Sequence, residues 1–385
     1  MAKKMRVFLL HNVIAPYRLP VFEEIAKIAD IDVYFCITKT ADRHWSTSLD
    51  GYKFKHKVLP NFLIGPFFLN PTLLWHLLTN TYDIYLVGDF PEAVNSTFAA
   101  IMVAKLRRKP VVLWSETQDN NVIYYQNLAV STKNRHRIVL QIMSLIIKFY
   151  RKMLHSSATT YAALSGSARN FLLEQGVREQ VIYSGPQIIP ISQLAIASKL
   201  KADSPYAGEK VLLYLGYFNA LKGIDDLIVA MAQIPDTNVR LIIAGVGPEE
   251  QALKKLASGD KRITFIGYTT GVAKANLMTW ADLLILPTLA DCWGLVVNES
   301  LHYGTPVLTT TAAGSEELIK DGVNGIRVAP RNPGALASAL NLILNDSRLL
   351  VKLTGGALAQ SSDITDAKVG AKPIIKAIIA AGASK

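Results

Sequence analysis

The 385-residue sequence predicts an α/β fold of two Rossmann-like domains. Three observations carry this expectation. Short apolar runs alternate with amphipathic stretches along the whole chain, the pattern of parallel sheets with crossover helices. The rhythm stops at a stretch of Gly-Pro, Ile-Pro and Ser-Pro breakers within 185–209 and then restarts. In the second half, several strand candidates end in glycine-bearing loops that open helices, which is where open α/β sheets hold ligands.

Taken in order, the strand candidates of the first half are 5–10, 31–37, 83–87, 111–114 and 159–164, with helices near 21–29 and 93–107. Those of the second half are 211–215, 239–244, 263–266, 283–286, 306–309 and 326–328. Helices are expected near 224–233, 249–257, 272–280, 295–303 and 333–344. This gives a first domain over 1–190, a linker over 191–209 and a second domain over 210–366. The apolar, helix-prone tail at 367–385 has two open readings. It packs back across the first domain, or it is an ordinary terminal helix of the second.

Composition narrows the class. Half the residues are hydrophobic and 18% are charged, enough apolar surface for sizeable cores and too little polarity for disorder. The two cysteines, Cys36 and Cys292, match no metal-ligand spacing and no disulfide framework, which fits a reducing compartment. The basic N-terminus lacks a long apolar stretch and a small-residue cleavage site, and no run of about 18 apolar residues occurs. A cytoplasmic protein with no secretory signal and no spanning helix is expected. The net charge of +11 is lopsided: residues 1–200 carry +10 and residues 201–385 carry +1. The two halves are therefore expected to meet different partners. No nucleic-acid motif accompanies the charge, so a nucleic-acid partner is not expected.

The segment 213–328 carries the chemistry. A strand ends in Gly216 and leads to a loop with Lys222 and Gly223. Another runs into Gly245-Val246-Gly247-Pro248, and a third ends in Phe265-Ile266-Gly267-Tyr268. A fourth passes through Asp291-Cys292-Trp293-Gly294-Leu295 into a helix bearing Glu299. Glycine lets backbone approach a ligand closely. A helix start at Gly294, Leu295 and Val296 offers amides and a positive dipole end to a diphosphate. Lys222 adds a point charge for phosphate. Glu299, about one and a half turns into the helix, can accept hydrogen bonds from a diol, and Asp291 can do the same for a sugar ring. Each residue also has a plainer reading: Lys222-Gly223 as a surface loop, Glu299 as a solvated charge, Asp291 as a helix cap. Their order across five consecutive αβ units favours a nucleotide-sugar site, with no metal cluster.

This segment resembles the donor-binding domain of family four of the retaining glycosyltransferases, which implies the GT-B fold, an α/β fold of two Rossmann-like domains facing across a cleft. Asp291 and Glu299 match the family's two acids separated by seven residues, with Asp where Glu is usual. Gly245-Val246-Gly247-Pro248, Phe265-Ile266-Gly267, Gly304-Thr305-Pro306-Val307, Gly314-Ser315-Glu316-Glu317 and Asp321-Gly322-Val323-Asn324-Gly325 match its other segments. Tyr217 stands where an Arg is usual. The resemblance implies that Glu299 binds ribose hydroxyls and that Asp291 holds the transferred sugar, helped by backbone at Trp293, Gly294, Leu295 and Val296. Lys222 would neutralise the leaving diphosphate, and the Tyr268 backbone would meet the base. The donor would be a UDP- or GDP-sugar, with no cofactor required.

In the first half, the loop after the first strand offers Tyr17 and Arg18, and later strand ends offer Asp89 and Glu116. Tyr17, Arg18 and Asp89 are acceptor-site candidates, and Glu116 lies near the point where family members place a sugar-contacting His. Tyr17 and Arg18 read equally well as a helix-entry loop, and Glu116 as a cap. In 133–155, Arg137, Gln141, Ser144, Lys148, Arg151 and His155 form one polar stripe on an otherwise apolar helix with six Lys/Arg, Lys152 among them, and no acid. That suits an anionic membrane surface through Arg137, Lys148, Arg151 and Lys152; the alternative is a helix largely buried in the first domain.

The sequence thus leads to a hexosyl- or N-acetylhexosaminyltransferase that retains the anomeric configuration. Its acceptor would be a lipid-linked saccharide or glycan in cell-envelope polysaccharide or glycolipid synthesis, at the inner face of the cell membrane. The alternative is a nucleotide-sugar-binding protein without transfer activity.

Overall fold

The computed structural model describes residues 4–39, 47–64, 67–116, 149–198 and 200–384. The chain divides into two compact units, Met1–Pro186 with Ala367–Lys385, and Gln187–Asp366.

The first unit is built on a seven-stranded sheet in the order β3-β2-β1-β6-β7-β8-β9. Its strands are β1 (Arg6–Val13), β2 (Asp30–Ile37), β3 (Lys55–Val58), β6 (Ile84–Gly88), β7 (Val111–Ser115), β8 (Thr160–Ala163) and β9 (Ile182–Ser184), all paired in parallel. The central strands are buried on both faces and accordingly read as unbroken apolar runs. A two-stranded antiparallel ribbon, β4 (Phe62–Ile64) and β5 (Phe67–Leu69), lies outside the sheet. The helix Ala367–Ala383 packs on β8 and on the helix Leu19–Ile28. Its inward face is small and apolar, with Gly370, Ala371, Ala377 and Ala381 buried, so the backbone comes close enough for Thr160 Oγ1 to donate to the Ala377 carbonyl at 2.9 Å.

The second unit holds a six-stranded parallel sheet in the order β12-β11-β10-β13-β14-β15. Its strands are β10 (Lys210–Leu215), β11 (Val239–Ala244), β12 (Ile263–Ile266), β13 (Leu283–Leu286), β14 (Val307–Thr310) and β15 (Gly325–Val328). In chain order this is the 3-2-1-4-5-6 arrangement of a Rossmann sheet, which reverses between β10 and β13. Crossover helices Ile224–Met231, Glu250–Leu256, Gly271–Trp280, Leu295–His302 and Pro333–Asn345 cover its faces, and apolar clusters fill both sides. The sequence reading did not include β3, the β4–β5 ribbon, β9, or the helices Leu73–Thr79, Gly166–Glu174 and Ser347–Gln360.

Candidate functional site

The second-unit site grows from the ends of β10, β11 and β13. The loops after β10 and β11 are pressed together: Gly216 N donates to Ala244 O at 3.0 Å and Phe218 N to Val246 O at 2.9 Å. Gly245 adopts φ +146°, and a Cβ there would lie 1.9 Å from Gly216 O; one on Gly247 would lie 2.2 Å from Phe218 O. These glycines were expected to admit a ligand. In the structure they first admit each other's loops, and Gly216 faces the Tyr214 hydroxyl. Tyr214 OH donates to the Tyr217 carbonyl at 3.2 Å, so a buried ring supports the backbone at the position where an Arg was expected. Burial, with the Asp291 charge nearby, pushes this phenol well above its ordinary range and keeps it a donor.

The Lys222 loop is tied down by Leu221, whose carbonyl accepts from Leu289 N at 2.7 Å and from Thr288 Oγ1 at 2.9 Å. That pinning joins the end of β10 to the end of β13 and brings Lys222 Nζ to 2.5 Å from Asp291 Oδ2. Both side chains are largely buried. The Asp291 backbone is itself fixed, its N–H donating to Ala312 O and its carbonyl accepting from Gly314 N. Oδ1 takes the Trp293 N–H at 3.3 Å, so the capping role is limited to one turn amide. The residue that caps the helix Leu295–His302 is Gly294, in the left-handed region at φ +94°. A Cβ on it would lie 2.8 Å from Leu286 Cδ2, 3.2 Å from Ser315 Oγ and 3.6 Å from Asp291 Oδ2. The helix start, the ion pair and a serine hydroxyl therefore crowd one point. Ser315 Oγ is fully buried and makes no hydrogen bond, an orphaned group beside the pair. Val297 N is already used by Gly294 O at 3.0 Å, so the helix-start amides offered outward are those of Leu295 and Val296.

Glu299 sits in the same helix, roughly 7 Å along the axis from Gly294 at 1.5 Å per residue. It is not solvated: only 7% of its surface is exposed, and Oε1 accepts from Lys274 Nζ at 2.5 Å. Lys274, on the helix Gly271–Trp280, was missed in the sequence, where a lysine 25 residues from its partner gives no local signal. Trp293 turns its ring inward, where Nε1 donates to Asn298 Oδ1 at 2.8 Å, and only its backbone faces the Asp291 turn. Asn298 in turn donates to the Gln187 and Ile364 carbonyls. Tyr268 follows β12 and is half exposed.

In the first unit, Tyr17, Arg18 and Glu116 come together although 98 residues separate the last two. Arg18 is 3% exposed, stacks between the Tyr17 and Trp114 rings at 5.0 Å from each, and donates to Glu116 Oε1. Trp114 Nε1 donates to the same oxygen at 2.7 Å. Arg18 thus orients Glu116 rather than reaching outward, and Glu116 keeps partial exposure. Beside them, His11 Nδ1 donates to Val13 O at 3.0 Å, and burial followed by the Arg18 charge lowers its pKa to about 3.

Two of the candidates lie in the interior. Asp89, read as an acceptor contact, is 3% exposed and lies 3.5 Å from His155 Nε2 in the interior of the unit. Arg151, read as a membrane contact, is also buried, with its guanidinium 5.6 Å from the Phe171 ring. The i, i+4 spacing correctly puts Arg151 and His155 on one face of the helix at 149–157. That face turns inward, where His155 lies near Asp89 at the end of β6. Lys152 is exposed; Arg137 and Lys148 lie outside the described residues. Among the described residues no group of three or more His, Cys, Asp or Glu could hold a metal ion, and no helix is long and apolar enough to cross a membrane.

Two Rossmann-like units define the GT-B class of fold, and comparison with known proteins agrees. Residues 198–357 match the family model of the glycosyl transferases group 1. An uncharacterized glycosyltransferase of Methanocaldococcus jannaschii is 34% identical over 142 residues, 36% of each chain. A glycogen synthase of Mycobacterium tuberculosis is 33% identical over 150 residues, 38% of this chain and 36% of that one. The chain thus spans about a third of the length of these curated relatives. HepE of Anabaena, solved with UDP and glucose, superposes with a TM-score of 0.71 at 19% identity, over 97% of this chain and 99% of that one. Sucrose-phosphate synthase of Thermosynechococcus elongatus does so at 0.73 and 17%, over 99% and 100%.

Proposed function

We propose that the protein is a retaining glycosyltransferase that moves a hexosyl or N-acetylhexosaminyl group from a UDP- or GDP-sugar to a lipid-linked or glycan acceptor. One observation carries the reading: the Lys222–Asp291 pair lies against the first turn of the helix that bears Glu299. A diphosphate at the Leu295 and Val296 amides meets a positive helix end and the Lys222 ammonium together. Glu299 then lies about one nucleoside's reach deeper, and its carboxylate is the acceptor a ribose diol needs. Lys274 pairs with that carboxylate and aims it.

In the reaction, the bond from the anomeric carbon to the diphosphate oxygen breaks and a bond to the acceptor oxygen forms on the same face. The acceptor's proton passes to the departing phosphate. Lys222 and the helix-start amides stabilise the charge that grows on the leaving group, a preorganised electrostatic role. Asp291 holds the ammonium in position and, once it shifts to phosphate, is free to take sugar hydroxyls. In the first unit, Glu116, oriented by Arg18 and Trp114, is the candidate to meet an acceptor hydroxyl. A cytoplasmic-face role in cell-envelope polysaccharide or glycolipid synthesis, at the membrane surface, fits the +10 carried by residues 1–200.

The test is a product assay with a panel of UDP-, GDP- and ADP-sugars and membrane lipid extract, run alongside thermal stabilisation by the free nucleoside diphosphates. Transfer from one donor, lost in Lys222→Ala with folding intact, supports the reading. Stabilisation by a nucleotide with neither transfer nor donor hydrolysis sinks the enzyme and leaves a binding protein.

A further inference from the structure

Exposed apolar side chains are concentrated on three adjoining elements of the first unit. The helix Val94–Leu106 buries Thr97, Ala100, Ile101 and Ala104 against the sheet, and presents Phe98, Met102 and Leu106 outward at i, i+4 and i+8. The neighbouring helix Leu73–Thr79 buries Leu73 and Leu77 and presents Leu74, Trp75 and Leu78, with Trp75 69% exposed. The β4–β5 ribbon adds Phe62 and Leu63, each 63% exposed.

Specific bonds hold these three elements together. Arg107 Nη2 donates to Leu78 O at 2.8 Å, joining the C-terminal ends of the two helices. At the other end, Ser96 Oγ donates to Asn70 Oδ1 at 2.8 Å, and Leu73 N donates to Asn70 O, so Asn70 ties the ribbon to both helix starts. A soluble surface seldom concentrates large apolar groups in this way without a partner to cover them.

Within the segments that build these elements the charged side chains are all basic, with Asp30 and Asp83 beside them already paired to Lys55 and Lys109. Residues 51–82 contain no Asp or Glu, and neither do residues 93–115. Lys105 and Arg108 are exposed at the helix end beside Leu106. Lys57 is exposed on β3 and close enough to His76 of the Leu73–Thr79 helix to hinder that ring's protonation, after the effect of burial. Aromatic and aliphatic groups at the centre with cations at the rim match the layering of an anionic bilayer, whose acyl boundary takes the former and whose phosphates take the latter.

We propose that this face, formed by the β4–β5 ribbon and the helices Leu73–Thr79 and Val94–Leu106, docks the first unit onto an anionic lipid surface. The inference rests on the membrane-surface part of the proposed function and assigns it to a place in the fold other than the buried Arg151 edge.

The test is co-sedimentation of the full chain with vesicles of phosphatidylcholine alone, or of phosphatidylcholine mixed with phosphatidylglycerol. The wild type is expected to bind the mixed vesicles and not the neutral ones. Trp75→Ser with Leu78→Ser is expected to weaken binding by at least roughly tenfold, in line with the loss of apolar insertion. Lys105→Glu with Arg108→Glu is expected to abolish the preference for phosphatidylglycerol. Leu342→Ser with Val351→Ser, in the second unit, should leave binding unchanged. No vesicle binding by the wild type overturns membrane association altogether. Binding that survives both first-unit variants overturns only this face. Sedimentation velocity adds a third outcome: a concentration-dependent dimer dissolved by Trp75→Ser with Leu78→Ser, with vesicle binding unaffected, makes the face a contact between copies and overturns the lipid assignment.

Discussion

Lys222 Nζ and Asp291 Oδ2 lie 2.5 Å apart across two strand ends, 69 residues apart in sequence, beside the glycine that starts the Leu295–His302 helix. The proximity makes the two residues separable by experiment. Lys222→Ala removes positive charge from the leaving group and is expected to lower kcat by about 10²–10³-fold, the scale for one lost electrostatic contact. Asp291→Asn keeps the shape but frees the ammonium. Its loss is expected to vary with the sugar offered, whereas that of Lys222→Ala stays constant across sugars. Steady-state kinetics on two donors with one nucleotide checks this.

Glu299 and Lys274 predict a different pattern. Glu299→Gln is expected to raise the donor KM more than it lowers kcat, because a diol contact serves ground and transition states alike. Lys274→Ala leaves a buried carboxylate without its ammonium and is expected to cost about 1–3 kcal/mol of stability. Adding Glu299→Gln to that variant should restore part of the loss, as read by chemical denaturation.

Gly294→Ala joins a strained backbone to a clash, since φ is +94° and the new methyl would fall 2.8 Å from Leu286 Cδ2. A stability loss of about 1–3 kcal/mol is expected. Stabilisation by nucleoside diphosphate should disappear with it, because the same methyl lies against Asp291 and Ser315. Retained stabilisation in a thermal melt would separate the helix start from the binding site.

His11 predicts a pH effect. Its pKa in the folded protein is about 3, below the ordinary 6.5, because burial and then the Arg18 charge disfavour the imidazolium. The unfolded chain therefore takes up the proton first as pH falls. The stability from this group is complete above pH 6.5 and is lost towards pH 3, at up to about 1.4 kcal/mol per pH unit. His11→Phe, which keeps an aromatic ring among Phe22, Phe90 and Trp114, should show a slope shallower by that amount between pH 6 and 4.

Much of this architecture was legible. The central strands are apolar runs because both sheet faces are covered, so β1, β2, β6, β7, β8 and all six second-unit strands stood out. What escaped lies at edges or is short. β3 reads Lys-His-Lys-Val, an edge strand whose charge guards against pairing, and β4, β5 and β9 have three residues each. Within the candidate site, Lys222, Asp291, Gly294 and Glu299 could be named as candidates because they follow strands or lie on the helix that opens after one. Their partners could not. Lys274 and the Arg18–Glu116 pairing are brought in by tertiary packing over 25 and 98 residues, which no local spacing encodes. The polar stripe at 149–157 shows the limit in another form: periodicity gave the face and left open which way it turned.

The helix Ala367–Ala383 has a consequence for biosynthesis. The helix that covers β8, where Thr160 meets the Ala377 carbonyl, is made only after the whole of Gln187–Asp366, so the strands of the first unit wait for it through that synthesis. Gln187–Asp366 is contiguous and needs no such delay. Folding order is therefore expected to run against the usual N-terminal-first course. The half-dressed early sheet is the species most in need of a chaperone.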